Sequence, residues 1–121
     1  MMGIYLDNNS SSPIDERVLA VMVDVYLNSY GNADSRTHNH GEQARIIVEN
    51  ARKQVASLLE VNSSEVFFTS GSTESNNITI QGLEEYALKT NKKHIITSAI
   101  EHKSILETVN MMKKKGFDVD I

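Results

Sequence analysis

The chain has 121 residues, 40% hydrophobic and 23% charged, with a formal net charge of -4. That length bounds it to one ordinary domain, and the composition is that of a globular chain, not a disordered one. The acidic balance disfavours a broad nucleic-acid or anionic-membrane surface. The lack of cysteine excludes disulfides, thiolate metal sites and a cysteine nucleophile within these residues.

The opening MMGIYLDNN lacks the basic and apolar regions of a secretory signal. Ile4 to Leu6 reads as a short extended arm and Asp7 to Ser12 as polar turn material. Pro13 leads a predicted helix with Asp15 and Glu16 in its first turn, where the helix dipole favours acids. Val18, Leu19, Met22, Val23, Tyr26 and Leu27 recur on it at helical spacing. The apolar run Val18 to Leu27 is broken by Asp24 and too short to span a bilayer, so a soluble, cytoplasmic protein is the expectation.

Gly31 to Gly41 (GNADSRTHNHG) is a predicted loop. A second helix follows over about Glu42 to Leu59, carrying the most regular apolar stripe in the chain: Ala44, Ile47, Val48, Ala51, Val55, Leu58 and Leu59. Asn62 and Ser63 turn into Val66, Phe67 and Phe68, a run of β-formers that predicts a buried strand. Thr69 to Thr73 is a small-residue turn, and an amphipathic helix is predicted from it through Leu88. His94 to Ser98 reads as a second strand and Lys103 to Lys115 as a helix with Ile105, Leu106, Val109 and Met112 inward. Gly116 is placed to close that helix, and Phe117 to Ile121 is a third strand. Strand and helix alternating in this way imply an α/β protein with parallel βαβ units and right-handed crossovers. A chain that stops in a strand reads as the front part of a larger domain.

The turn Ser70 to Thr73 places hydroxyls where a helix start offers unpaired N–H groups, a physical recipe for a phosphate seat. Ser, Thr and Gly are also ordinary caps and turn formers, and neither a P-loop nor a dinucleotide fingerprint occurs, so the turn alone fits either role. Glu74, in the first helical turn, reads as a capping or dipole partner. His102 lies just past the carboxyl end of the second strand, the edge along which open α/β sheets bind ligands. His38 and His40 sit on a loop without an acidic cluster, which does not favour a metal, and His94 begins a strand. Lys103 opens a helix with nothing around it that would lower its pKa for Schiff-base chemistry. The run Lys113 to Lys115 suits a solvated helix end.

Four stretches then fall in register: Tyr5 to Pro13 (YLDNNSSSP), Gly31 to Gly41, Val66 to Asn77 (VFFTSGSTESNN) and His94 to Leu106 (HIITSAIEHKSIL). Together they resemble the N-terminal part of the cysteine desulfurases, within the class V aminotransferase-like, fold-type I pyridoxal-phosphate enzymes. The resemblance implies an incomplete large domain, with residues 1–14 as an arm of the small domain and 15–121 as the first part of the cofactor-binding domain. It implies that Gly71, Ser72 and Thr73 hold the cofactor phosphate. It also implies that His102 stacks on the cofactor ring and assists proton transfer, and that Lys103 is not the Schiff-base lysine.

The implied activity is conversion of L-cysteine to L-alanine, with sulfur passed to an enzyme cysteine and on to a sulfur-acceptor protein, for iron–sulfur clusters or other sulfur-cofactor or nucleic-acid modification pathways. The implied enzyme is a homodimer without direct nucleic-acid or membrane contact. Selenocysteine lyase and other class V members resemble the same motifs, and a non-catalytic split or truncated fragment is the alternative of another kind. The family's Schiff-base lysine, pyridinium-binding aspartate, substrate-binding arginine and persulfide cysteine fall beyond position 121, so the chain alone is expected to be inactive. Ala33 stands where the family usually has proline, and Ser10 to Ser12 replace a turn usually rich in alanine and threonine.

Overall fold

A computed structural model describes residues 3–121. The chain divides into two compact units, Met1–Val66 and Phe67–Ile121.

In the first unit the arm is held locally: the Tyr5 hydroxyl donates to the Asp7 carbonyl and meets Ser11 Oγ at 2.9 Å. Helix α1 spans Glu16–Asn28. It begins later than Pro13 because the Asp15 carboxylate accepts the Arg17 N–H at 2.9 Å and so fixes the N-cap. The Arg17 side chain, and then its backbone N–H, hold the Asp15 carboxyl below the usual carboxylate range. Helix α2 spans Asn39–Leu59. It starts earlier than its apolar stripe suggests, because His38 acts as N-cap through Nδ1, which accepts the Gly41 N–H at 3.1 Å. It ends at Glu60, a non-glycine residue in left-handed backbone (φ 56°). A single 3-10 turn, Ser63–Glu65, follows and is closed by a reciprocal capping box between Asn62 and Glu65. Arg52 donates to the Val66 carbonyl, tying α2 to the segment that leaves the unit.

The predicted strand at Val66–Phe68 does not form. Val66 is buried and its backbone is extended (φ -101°, ψ 121°), but Phe67 and Phe68 are exposed and residues 66–68 take no place in the sheet. Apolar β-formers favour extended backbone, yet a strand exists only where a neighbouring ladder receives it; among the described residues the sheet has two strands, both later in the chain.

The second unit contains those strands. Helix α3 spans Ser72–Gly82 and helix α4 Glu84–Thr90. The expected single helix is thus broken at Gly82–Leu83, where glycine's backbone freedom disfavours continuation. Strand β1 is His94–Ile96, helix α5 is Lys103–Lys114 and strand β2 is Asp118–Asp120. The strands pair in parallel with Ile95 opposite Val119, so β1–α5–β2 is the predicted βαβ unit. Gly116 makes the turn between α5 and β2 at φ 90°, a conformation open to glycine. The core is formed by Ala87, Met112 and Phe117 with Ile80, Ile95 and Met111 packed against them. Val109 and Met112 are the most deeply buried side chains. No helix among the described residues is long and apolar enough to cross a membrane.

Candidate functional site

The start of α3 is open. Its N-cap is Gly71, whose backbone is extended and which has no side chain to cap the helix. A Cβ built at Gly71 meets nothing within 4 Å. The hydroxyls of Ser72 and Thr73 enter no hydrogen bond among the described residues. Upstream, the loop is braced by the Thr69 hydroxyl on Ser75 Oγ at 2.7 Å.

Glu74 turns back over this loop, accepting the Ser70 N–H at 2.6 Å and the Ser70 hydroxyl at 2.8 Å. Those two bonds, the backbone one first, hold its carboxyl below the usual range. Its negative charge is therefore spent on Ser70, as a capping residue's would be. The first-turn N–H groups and two free hydroxyls remain, and this donor set suits a phosphate.

The start of α5 is closed by its own cap. His102 takes the N-cap position, and its Nδ1 accepts the Ser104 N–H at 3.2 Å. The same nitrogen lies 2.8 Å from Ser104 Oγ, and Asn76 Nδ2 of α3 donates to that oxygen at 2.9 Å. One turn on, Thr108 Oγ1 reaches Asn77 Oδ1 at 2.9 Å and the Ser104 carbonyl at 2.8 Å. Asn77 in turn donates to the Thr73 carbonyl at 2.8 Å. Ser104 and Thr108 are both buried, so α5 packs on α3 through a satisfied polar seam.

Along this seam opens a cavity of about 430 Å³, lined by Thr73 and Asn77 from α3 and by His102, Lys103, Ser104 and Glu107 from the α5 side. The structure thus brings Thr73 and His102 to one cavity. Gly71 and Ser72 stand at the open end of α3, outside that lining.

Asn76, Asn77, Ser104 and Thr108 did not emerge from the sequence reading. Apolar spacing alone turns Ile105 and Leu106 inward on the last helix, whereas both are only half-buried. Two adjacent asparagines inside a helix, where that residue is unfavourable, and a Ser/Thr pair four apart on the next helix were the available signal.

The remaining histidines have partners of their own away from this cavity. His38 Nε2 meets Ser35 Oγ at 3.0 Å in addition to its cap, and the His40 ring stacks on Tyr30 with centroids 6.0 Å apart. His94 Nε2 pairs with Asp120 Oδ2 at 2.9 Å. Among the described residues no group of three or more side chains could hold a metal ion.

Against known proteins, the aminotransferase class-V family matches residues 4–121. The chain is 47% identical to the mitochondrial cysteine desulfurase of Saccharomyces cerevisiae, over 96% of this chain and 23% of that protein. It is 44% identical to the cysteine desulfurase IscS of Dechloromonas aromatica, over 97% of this chain and 29% of that one. Among solved structures, a NifS-like protein superposes with TM-score 0.87 and 43% identity, covering 98% of this chain and 32% of that one. A structure of SspA in complex with cysteine superposes with TM-score 0.82 and 38% identity, covering 95% and 33%. The chain therefore belongs to the aminotransferase class-V family, with the α/β fold of part of a fold-type I pyridoxal-phosphate domain. It spans about a quarter to a third of the length of these relatives.

Proposed function

We propose that this chain is the phosphate-seating and ring-facing part of a pyridoxal-phosphate-dependent cysteine desulfurase. The observation that carries the reading is the start of α3, which has no side-chain cap, with Thr73 and His102 on one cavity. In this reading Ser72 and Thr73 donate their hydroxyls and first-turn N–H groups to the cofactor phosphate. Gly71 lets the ligand approach the backbone. His102 lies against the cofactor ring and near the reacting carbon of the substrate. When bound, the cofactor supplies an electron sink that weakens bonds at the substrate α-carbon.

L-cysteine as substrate is supported by the relatives named cysteine desulfurases and by the cysteine held in SspA. The sulfur acceptor is not among these residues, which contain no thiol. Partnership with a second copy and with a sulfur-accepting protein rests on the family resemblance.

The test is Thr73→Val, which keeps the shape and removes one hydroxyl. Loss of a charge-assisted hydrogen bond should weaken pyridoxal-phosphate binding about ten- to a hundredfold, measured by titrating cofactor absorbance. Thr90→Val, whose hydroxyl only reaches the Tyr86 carbonyl, is the control. Equal affinity for wild type and both variants would place the phosphate elsewhere.

A further inference from the structure

The hydrogen bonds behind His102 have only one consistent direction. A backbone N–H can only donate, so the Ser104 N–H makes His102 Nδ1 an acceptor. Ser104 Oγ, 2.8 Å from the same nitrogen, must then donate to it. That commits the hydroxyl proton and leaves Oγ to accept from elsewhere. Asn76 Nδ2 fills that place at 2.9 Å. Two donors of Ser104 therefore converge on Nδ1, the hydroxyl one backed by Asn76 of α3, and the ring proton of neutral His102 is left on Nε2.

We infer that Ser104, oriented by Asn76, is a positioning residue that fixes His102 as the Nε2–H tautomer. The ring thus meets its site as a hydrogen-bond donor, with its basic nitrogen already occupied. The inference rests on the reading of His102 as a site residue and sharpens it: the atom that acts on cofactor or substrate is Nε2, and it acts by donating. Burial of Ser104, 8% exposed, favours the arrangement, because a misdirected hydroxyl proton would leave Nδ1 short of a donor.

The test reads the tautomer directly, with no cofactor present, so its failure is distinct from failure of the Thr73 experiment. In nitrogen-15 spectra of the full chain, in solution or as a sediment, the neutral His102 ring should show an unprotonated Nδ1 and a protonated Nε2. Ser104→Ala removes one of the two donors and should shift the tautomer ratio about fivefold toward Nδ1–H, the worth of one ordinary hydrogen bond. Asn76→Asp replaces the donor by an acceptor that draws the Ser104 proton away from the ring, and should shift the ratio at least as far. Ser104→Thr keeps the hydroxyl and should retain the wild-type signature. His94, held by Asp120 in the same unit, should not change in any of them. A wild-type His102 protonated on Nδ1, or a ratio unmoved by both Ser104→Ala and Asn76→Asp, would overturn the inference. So would a shift shared equally by His94, since Ser104 would then act on folding alone.

Discussion

Two glycine-bearing loops use the same residue for opposite ends. In the loop before α2, a Cβ added to Gly31 would lie 2.1 Å from the His40 carbonyl oxygen, and one added to Gly41 would lie 2.4 Å from that of Ser35. The space a side chain would need is filled by the protein's own backbone. In the turn before α3, a Cβ on Gly71 meets nothing within 4 Å, and its extended backbone is accessible to any residue. The first loop needs glycine in order to fold. Nothing in the second loop's own folding requires it, which fits the proposed approach of a ligand to that backbone. Both loops belong to stretches that resemble one enzyme family, and only their surroundings separate the packed glycine from the open one.

Substitution should separate them further. Gly41→Ala carries the largest expected effect on stability. Its Cβ would be driven against the Ser35 backbone, and overpacking of this kind costs about 3 kcal/mol. For a chain of this size that lowers the thermal midpoint by about ten degrees or more; an unchanged midpoint would break the contrast. Gly71→Ala should leave the midpoint within the spread of ordinary surface changes, about 0.5 kcal/mol, yet weaken pyridoxal-phosphate binding about tenfold by holding the phosphate off the backbone. Cofactor titration alongside a melt checks both halves, and a variant that unfolds while binding is unaffected would reverse the assignment.

A smaller effect concerns Glu74, whose carboxyl is held below its ordinary value by the Ser70 N–H and hydroxyl. The sign follows from a lowered folded pKa. The brace is fully present above the ordinary glutamate range and is lost as pH falls through the lower folded value. Protection of the Ser70 amide against hydrogen exchange should therefore decline on acidification in the wild type. In Glu74→Gln it should be weaker and independent of pH over that window.

The sequence disclosed the α/β character, the parallel β1–α5–β2 unit and the glycine at 116, because helical spacing and turn chemistry are local. It also pointed to His102 and to the turn at Gly71–Thr73. It misread the segment at Val66–Phe68, since a strand depends on a neighbouring ladder and not on its own residues. It set the starts of α1 and α2 wrongly for a related reason: the caps are single side chains, Asp15 and His38, that apolar periodicity does not register. The seam of Asn76, Asn77, Ser104 and Thr108 is hidden from apolar periodicity, because Ser104 and Thr108 become buried, and the two asparagines half-buried, only when two helices meet.

Helices α2 and α4 end with the same backbone device, a left-handed residue at φ 56°, supplied by Glu60 in one and Asn91 in the other. Asparagine adopts that conformation readily, whereas a glutamate pays about 1 kcal/mol or more for it. The end of α2 therefore holds an unused reserve for protein engineering, in a different unit from the proposed cofactor seat. Glu60→Gly should release about 0.5–1 kcal/mol, the relief of strain less the extra freedom glycine gives the unfolded chain. A rise of a few degrees in the melt, with cofactor affinity unchanged, would show that this enzyme family member can be stabilised without touching its chemistry.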